Sequence, residues 1–393
     1  MLKESIYKRA EEHHKDIVAV RRHLHMHPEL SFQEFNTAAL VAGKLKELNI
    51  PFQEGVAGTG LVALIEGKGK GKTVALRADM DALPIIEAND VPYKSQNAGV
   101  MHACGHDAHT SSLLGVAAIL NSVKDQFNGT VKLIFQPAEE KLPGGASLMI
   151  EQGVLKNPSP DVVLGQHVMP LIETGKVGFR SGIYMASTDE LYVTVKGKGG
   201  HGAMPHLNID PVLITSHMIV ALQQIVSRNA NPTMPSVLSF GKVIANGATN
   251  VIPNEVYLEG TFRTLDEKWR NDAHQKMKKL AEELAVAMGG SCEFIIKRGY
   301  PVLYNNEELT ARSKKYAIDY LGAANVLDLD IWMAAEDFAF YTHHSPSCFY
   351  RLGTRNESRG ITSSVHTPTF DIDEESLKIG MGLMSWIALK ELE

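Results

Sequence analysis

The ten residues Met101-His102-Ala103-Cys104-Gly105-His106-Asp107-Ala108-His109-Thr110 bring one thiol, three imidazoles and a carboxylate together. An apolar, helix-like run, Leu113 to Val123, follows directly. A thiolate and an imidazole spaced Cys-x-His reach one ion from a tight loop, and Gly105 between them lets the backbone turn where a Cβ would clash. The chemistry of such a cluster is metal binding or nucleophilic attack by the cysteine. The plain alternative is a buried cysteine beside surface histidines.

Other segments offer donors that could join it. Gln136-Pro137-Ala138-Glu139-Glu140 follows a strand-like run, Leu133-Ile134-Phe135, and precedes Gly144-Gly145. Adjacent carboxylates on an extended backbone point in different directions, so one can bind a metal while the other moves a proton. Gly165-Gln166-His167 ends the apolar run Val162-Val163-Leu164, and Ser363-Ser364-Val365-His366-Thr367-Pro368 supplies a loop histidine. Taken alone, His167 is equally consistent with a hydrogen-bonded core histidine. Together Cys104, His106, Glu140, His167 and His366 make five mixed S/N/O donors, enough for two divalent ions sharing one bridging group. Zn, Mn, Co and Ni all suit such a set. In Arg77-Ala78-Asp79-Met80-Asp81, Asp79 either orients a metal-bound histidine or forms an ordinary buried pair with Arg77. His23, His25 and His27 crowd a helix end with no carboxylates nearby in sequence, and read as non-functional.

A second group of residues suits substrate rather than metal. Gly199-Gly200-His201-Gly202-Ala203-Met204-Pro205-His206 is a glycine-rich loop without the Walker lysine, so phosphate binding is not expected. Either it is a flexible connection, or His201 stabilises an oxyanion. Arg263 can clamp a carboxylate with its planar fork, and Asn250 can add a hydrogen bond.

The elements that must position these groups follow from hydrophobic period. Helices are expected over residues 4–25, 35–48, 146–152 and from the Cys/His loop to about Gln126. Strands are expected at 60–66, 73–79, 130–136 and 161–167. The glycine–lysine stretch Gly67–Lys72 reads as a hairpin turn joining the first two. Alternating strands and helices argue for an α/β fold with a largely parallel sheet covered on both faces, giving a three-layer domain. From about residue 190 the order is strand, helix, strand, strand, helix, strand, the ferredoxin-like split βαβ unit. The expected organisation is a discontinuous domain, 1–185 and 300–393, carrying an inserted α+β lid or dimerisation domain, 186–299.

Composition bounds the function classes. The chain has 393 residues, enough for two domains, and a net charge of −6 that gives no footprint for nucleic acid. Three cysteines, Cys104, Cys292 and Cys348, are too few for a disulfide framework and fit a reducing compartment. No signal-like segment or apolar run near 18 residues occurs, so a cytoplasmic protein without a membrane span is expected. Sixteen histidines are in keeping with a metal site.

Six segments, in this order, resemble the aminoacylase/hippurate-hydrolase amidohydrolases, a branch of the dinuclear-metal carboxypeptidase and aminoacylase superfamily. They are Arg22-x-Leu24-His25-x3-Glu29-Leu30, Arg77 to Pro84, Met101 to Thr110, Phe135 to Glu140, Gly199 to His206, and His366-Thr367-Pro368. The resemblance implies a catalytic α/β domain with a ferredoxin-like lid, and metal ligands at Cys104, His106, Glu140, His167 and His366. It also implies Glu139 as general acid/base, and His201 as a lid histidine commonly supplied across a dimer interface. The wider superfamily has His-x-Asp where this chain has Arg77-Ala78-Asp79, so no metal ligation carries over to Arg77. Expected substrates are N-acetyl or N-benzoyl amino acids, with dipeptides as the alternative, and the expected assembly is a homodimer or larger. A thiol hydrolase using Cys104 and His106, and a non-catalytic binder, are weaker readings. The first needs two residues only two apart to face each other, and the second leaves Glu139 without purpose.

Overall fold

The computed structural model describes residues 2–393 and divides into two compact units. The first comprises residues 2–184, Tyr304–Ile331 and Asp337–Glu393; the second comprises Met185–Leu303 and Trp332–Glu336.

The first unit is built on an eight-stranded mixed, mostly parallel sheet. Its spatial order is Phe52–Val56, Gly60–Glu66, Thr130–Gln136, Thr73–Asp79, Val162–Glu173, Ser347–Arg355, Val177–Phe179 and Val326–Asp328. Thr73–Asp79 runs parallel to both neighbours and is buried at all of its positions, as a central strand covered on both faces must be. Gly60–Glu66 and Thr73–Asp79 are therefore not a hairpin. Thr130–Gln136 lies between them, antiparallel to the first and parallel to the second. The stretch Gly67–Lys72 is a crossover connection rather than the expected tight turn. Its own backbone bonds go to Phe127 and Gly129, at the start of the intervening strand.

Three helices, Leu2–Met26, His106–Ser122 and Glu375–Leu392, pack on one another, and the last two also pack on the sheet. His106–Ser122 is buried nearly all round, with Leu113, Val116, Ala117 and Leu120 in the core. It starts at Gly105, whose φ of 84° only glycine adopts freely, and a Cβ there would meet Val168 Cγ2 at 2.5 Å. Asp107 lies in the first turn, where the helix dipole favours a carboxylate.

The second unit has a four-stranded antiparallel sheet, in the order Ser236–Ile244, Glu255–Thr264, Ser187–Lys196, Ser291–Arg298. Helices Pro211–Gln224 and Glu267–Ala287 pack on it over a separate apolar core that includes Leu191, Val193, Met218 and Phe262. Both helices are capped by an aspartate. Asp210 accepts from the Val212 and Leu213 N–H groups, and Asp266 accepts from Trp269. Strand burial alternates along Ser187–Lys196, so one face of this sheet is covered.

Among the described residues no helix is long and apolar enough to cross a membrane.

Candidate metal centre

One strand end, one strand, one helix start and one loop of the first unit deliver the candidate ligands. Cys104 precedes the helix that begins at His106. Glu139 and Glu140 leave the end of Thr130–Gln136, His167 lies on Val162–Glu173, and His366 sits in a loop beyond Ser347–Arg355. Two of these deliveries use left-handed backbone. Ala138 has φ 52° and His366 has φ 62°, a conformation that costs a residue with a Cβ and persists only where the surroundings enforce it. The enforcement is visible: the Ala138 N–H donates to Glu34 Oε1 at 2.8 Å, and its carbonyl accepts from Gly145. The His366 N–H donates to the Ala103 carbonyl at 2.7 Å, tying its loop to the cysteine segment.

The five donors converge. Cys104 Sγ lies 3.4 Å from His167 Nε2 and 3.3 Å from His366 Nε2. Glu140 Oε1 is 3.1 Å from His366 Nε2 and 4.0 Å from His106 Nε2. Two triads emerge, Cys104/His106/His167 and Cys104/Glu140/His366, and they share the thiol. Donors held 2.0–2.3 Å from one tetrahedral ion stand about 3.3–3.8 Å apart, so the spacing suits a transition metal. One orphaned atom points the same way: His106 Nε2 is buried without a hydrogen-bond partner.

The supporting hydrogen bonds settle which ring nitrogens are available. His167 Nδ1 donates to the Val168 carbonyl, leaving Nε2 facing Cys104. His106 Nδ1 meets Asp81 Oδ1 at 3.2 Å, leaving Nε2 for an ion. His109 forms a third cluster with Asp79 and His106, but both of its nitrogens are committed. Its Nδ1 donates to Asp79 Oδ1 at 2.5 Å, and its Nε2 accepts from the Val168 N–H at 2.9 Å. Asp79 forms the buried pair with Arg77 at 2.6 Å, and the histidine it bonds is His109, whose nitrogens are both committed, rather than one of the candidate ligands. Arg77 is turned into this buried pair.

Protonation is out of step with bare coexistence of these groups. Burial pushes the Cys104 thiol up, and the Glu140 charge adds to this. Hydrogen bonds to Cys104 and Glu140 raise His366 to about 10. Burial opposes charge on His106, yet Asp79, Cys104 and Asp81 hold it well above the usual imidazole range. His167 is driven well below that range by burial and by Arg351. Crowded donors of this kind are relieved by a cation.

Glu139 is buried beside the set, within 4.8 Å of His106 and Glu140 by its nearest ligand-type atoms. Asp81 holds the backbone here: its two oxygens accept the Glu139 and Glu140 N–H groups at 3.0 Å each. One carboxylate thus fixes His106 and the paired glutamates. Asp81 and Glu34 were not singled out by sequence reasoning, and only the acidic-rich run Asp79-Met80-Asp81 hinted at the first.

Around the back of the same helix start, His25, which has no carboxylates nearby in sequence, is fully buried and meets two of them in the fold. Its Nδ1 is 2.8 Å from Asp107 and its Nε2 3.2 Å from Glu87. Arg21, also fully buried, bonds Asp107 and Asp371 at 2.8 Å each.

The three remaining candidates lie in the second unit. His201 and Asn250 are brought together on short paired strands, where the Gly202 N–H donates to the Asn250 carbonyl at 2.8 Å. His201 Nδ1 accepts from the Ala203 N–H, which leaves Nε2–H as a donor in the neutral ring. Arg263 is half-buried on Glu255–Thr264, with one bond to the Met333 carbonyl at 3.3 Å.

Residues 75–390 match the model of peptidase family M20/M25/M40. The chain is 40% identical to thermostable carboxypeptidase 2 of Saccharolobus solfataricus, over 95% of each chain. It is 44% identical to an N-acyl-L-amino acid amidohydrolase of Geobacillus stearothermophilus, over 78% of this chain and 83% of that one. Among solved structures it is similar to the YXEP protein of Bacillus subtilis, described as a dinuclear metal-binding peptidase. That likeness has a TM-score of 0.83 and 34% identity, covering 97% of this chain and 99% of that one. With a metal-type donor set and matches along most of its length, the chain belongs to peptidase family M20/M25/M40 and is a metal-dependent hydrolase of amide bonds.

Proposed function

We propose that the protein hydrolyses the amide bond of N-acetyl or N-benzoyl amino acids, releasing a carboxylate and a free amino acid. The observation that carries this reading is the placement of Glu139, a buried carboxylate outside both thiol-sharing triads yet against them. Cys104, His106, Glu140, His167 and His366 would hold two divalent ions, Zn, Mn, Co or Ni. Ions bound there supply Lewis acidity to a carbonyl oxygen and lower the pKa of water. Glu139 removes the proton from the attacking water, then delivers it to the nitrogen of the leaving amine as the C–N bond breaks. Asp81 keeps the Glu139 backbone in place through both transfers.

The second unit is proposed as a ferredoxin-like lid and dimerisation domain. Support comes from its edge strand Ser236–Ile244, with exposed Val237 and Val243, and from exposed Leu213 and Val220 on the helix Pro211–Gln224. His201, with its donor Nε2–H, would steady the oxyanion, while Arg263 and Asn250 would bind the substrate carboxylate and its neighbours.

Dipeptide or carboxypeptide hydrolysis is the second reading, favoured by the relative named a carboxypeptidase, because both amide types need the same groups. A panel of N-acetyl and N-benzoyl amino acids against dipeptides decides between them. Preference for the N-acyl compounds supports the first reading, and turnover of dipeptides alone refutes it.

A further inference from the structure

Arg77, Gln136 and Asp337 make a buried cluster beside Glu139 that the reaction as described does not use. Arg77 is 1% exposed and Asp337 is 0% exposed. The guanidinium bonds on three sides: Nε to Gln136 Oε1 at 2.9 Å, one terminal nitrogen to Asp79 at 2.6 Å, the other to Asp337 Oδ1 at 2.6 Å. Gln136 Nε2 donates to both Asp337 oxygens at 2.8 Å, and the Ala146 N–H donates to Oδ2 at 3.0 Å. The Asp337 carboxylate is thereby held on both oxygens. Its own main-chain N–H then donates to Glu139 Oε1 at 3.3 Å.

We infer that Arg77, Gln136 and Asp337 are positioning residues for Glu139: the locked Asp337 side chain aims its backbone N–H at one oxygen of the proton-carrying carboxylate. A carboxylate that must face first a water and then an amine nitrogen gains from having one oxygen anchored, since a displacement near 1 Å can cost about a hundredfold in rate. Arg77 also grips Asp79, which orients His109. The planar fork of arginine reaches Asp79, Gln136 and Asp337 at once, which the compact ammonium of lysine cannot do. The inference rests on the reading of Glu139 as the proton carrier.

The test is steady-state kinetics with metal analysis on Asp337→Asn, Arg77→Lys and Gln136→Met, each checked for folding by thermal melting. Asp337→Asn turns a side-chain donor toward the Gln136 and Ala146 donors and so loosens the lock. The expected result is a kcat lower by about tenfold to a hundredfold, with KM and ions per chain unchanged. In a Glu139→Asp background, whose shortened carboxylate has already left the Asp337 N–H, the same change should cost no more than about twofold. Should Asp337→Asn fail to fold, Gln136→Met keeps the Arg77–Asp337 pair, removes only the amide bonds, and is read in the same way. An unchanged kcat, a loss carried by KM or metal content, or an equal loss in the Glu139→Asp background overturns the inference. Full turnover by Glu139→Gln would instead remove the reading of Glu139 itself.

Discussion

His106 and Asp107 are consecutive, yet their side chains enter opposite kinds of polar cluster. His106 joins Cys104, Glu140, His167 and His366, where ligand-type atoms converge on a shared thiol. Asp107 joins Arg21, His25, Glu87 and Asp371, where opposite charges meet at 2.8 to 3.2 Å. Histidines and carboxylates are rich in both, so composition does not separate them. Buried atoms without a partner occur in both, at Arg21 Nη1 and Asp107 Oδ1 as at His106 Nε2, so what separates them is the matching of charge. A cluster that matches its charges is complete as protein, whereas one that crowds like donors around a thiol is completed by a cation.

The largest effect that would sharpen this contrast is in the thiol cluster. Glu139→Gln should lower kcat by about 10²–10⁴-fold with ions per chain unchanged, by kinetics and metal analysis. Parental turnover would place the proton carrier elsewhere.

Next is the matched cluster. Arg21→Met leaves Asp107 and Asp371 without their buried partner and should cost about 3–5 kcal/mol of stability in chemical denaturation. Cys104→Ala should leave the stability of the ion-free protein nearly unchanged while removing metal binding. Were the two substitutions to behave alike, the contrast would be broken. The same cluster sets an acid limit: burial opposes charge on Asp107, but Arg21 and His25 hold its pKa below the usual carboxylate range. A depressed folded pKa contributes stability above the unfolded value near ~3.9, lost as pH falls below it. Acid unfolding should therefore shift to higher pH in Arg21→Met.

Asp81→Asn probes the link between His106 and the paired glutamates, and should cost about 10–100-fold in metal affinity or rate. The smallest effect is a slope. Cys104 and His366 hold protons in the ion-free protein, with His366 near 10, and ion binding needs both removed. Metal affinity should thus rise with pH from neutrality toward about 10, measured by competition with a chromophoric chelator. A flat profile would show that these protons do not compete with the ion.

Much of the thiol cluster was legible because Cys104-Gly105-His106 is a local pattern and Glu139-Glu140 and His167 follow apolar strand runs. The matched cluster was not: His25 meets Asp107 from 82 residues away and Arg21 meets Asp371 across 350. Strand positions were likewise readable from period, as at Gly60–Glu66 and Thr73–Asp79, but partnership was not. Local pattern gives each strand its faces and leaves the neighbour to tertiary packing, so Thr130–Gln136 could enter between strands joined by a short glycine–lysine stretch.

The most direct test is the metal content of purified protein, paired with turnover of N-acetyl and N-benzoyl amino acids before chelation, after it, and after metal is restored. The account predicts about two ions per chain, loss of turnover on chelation and its return with added metal. Hydrolysis that continues undiminished in the stripped protein would contradict it.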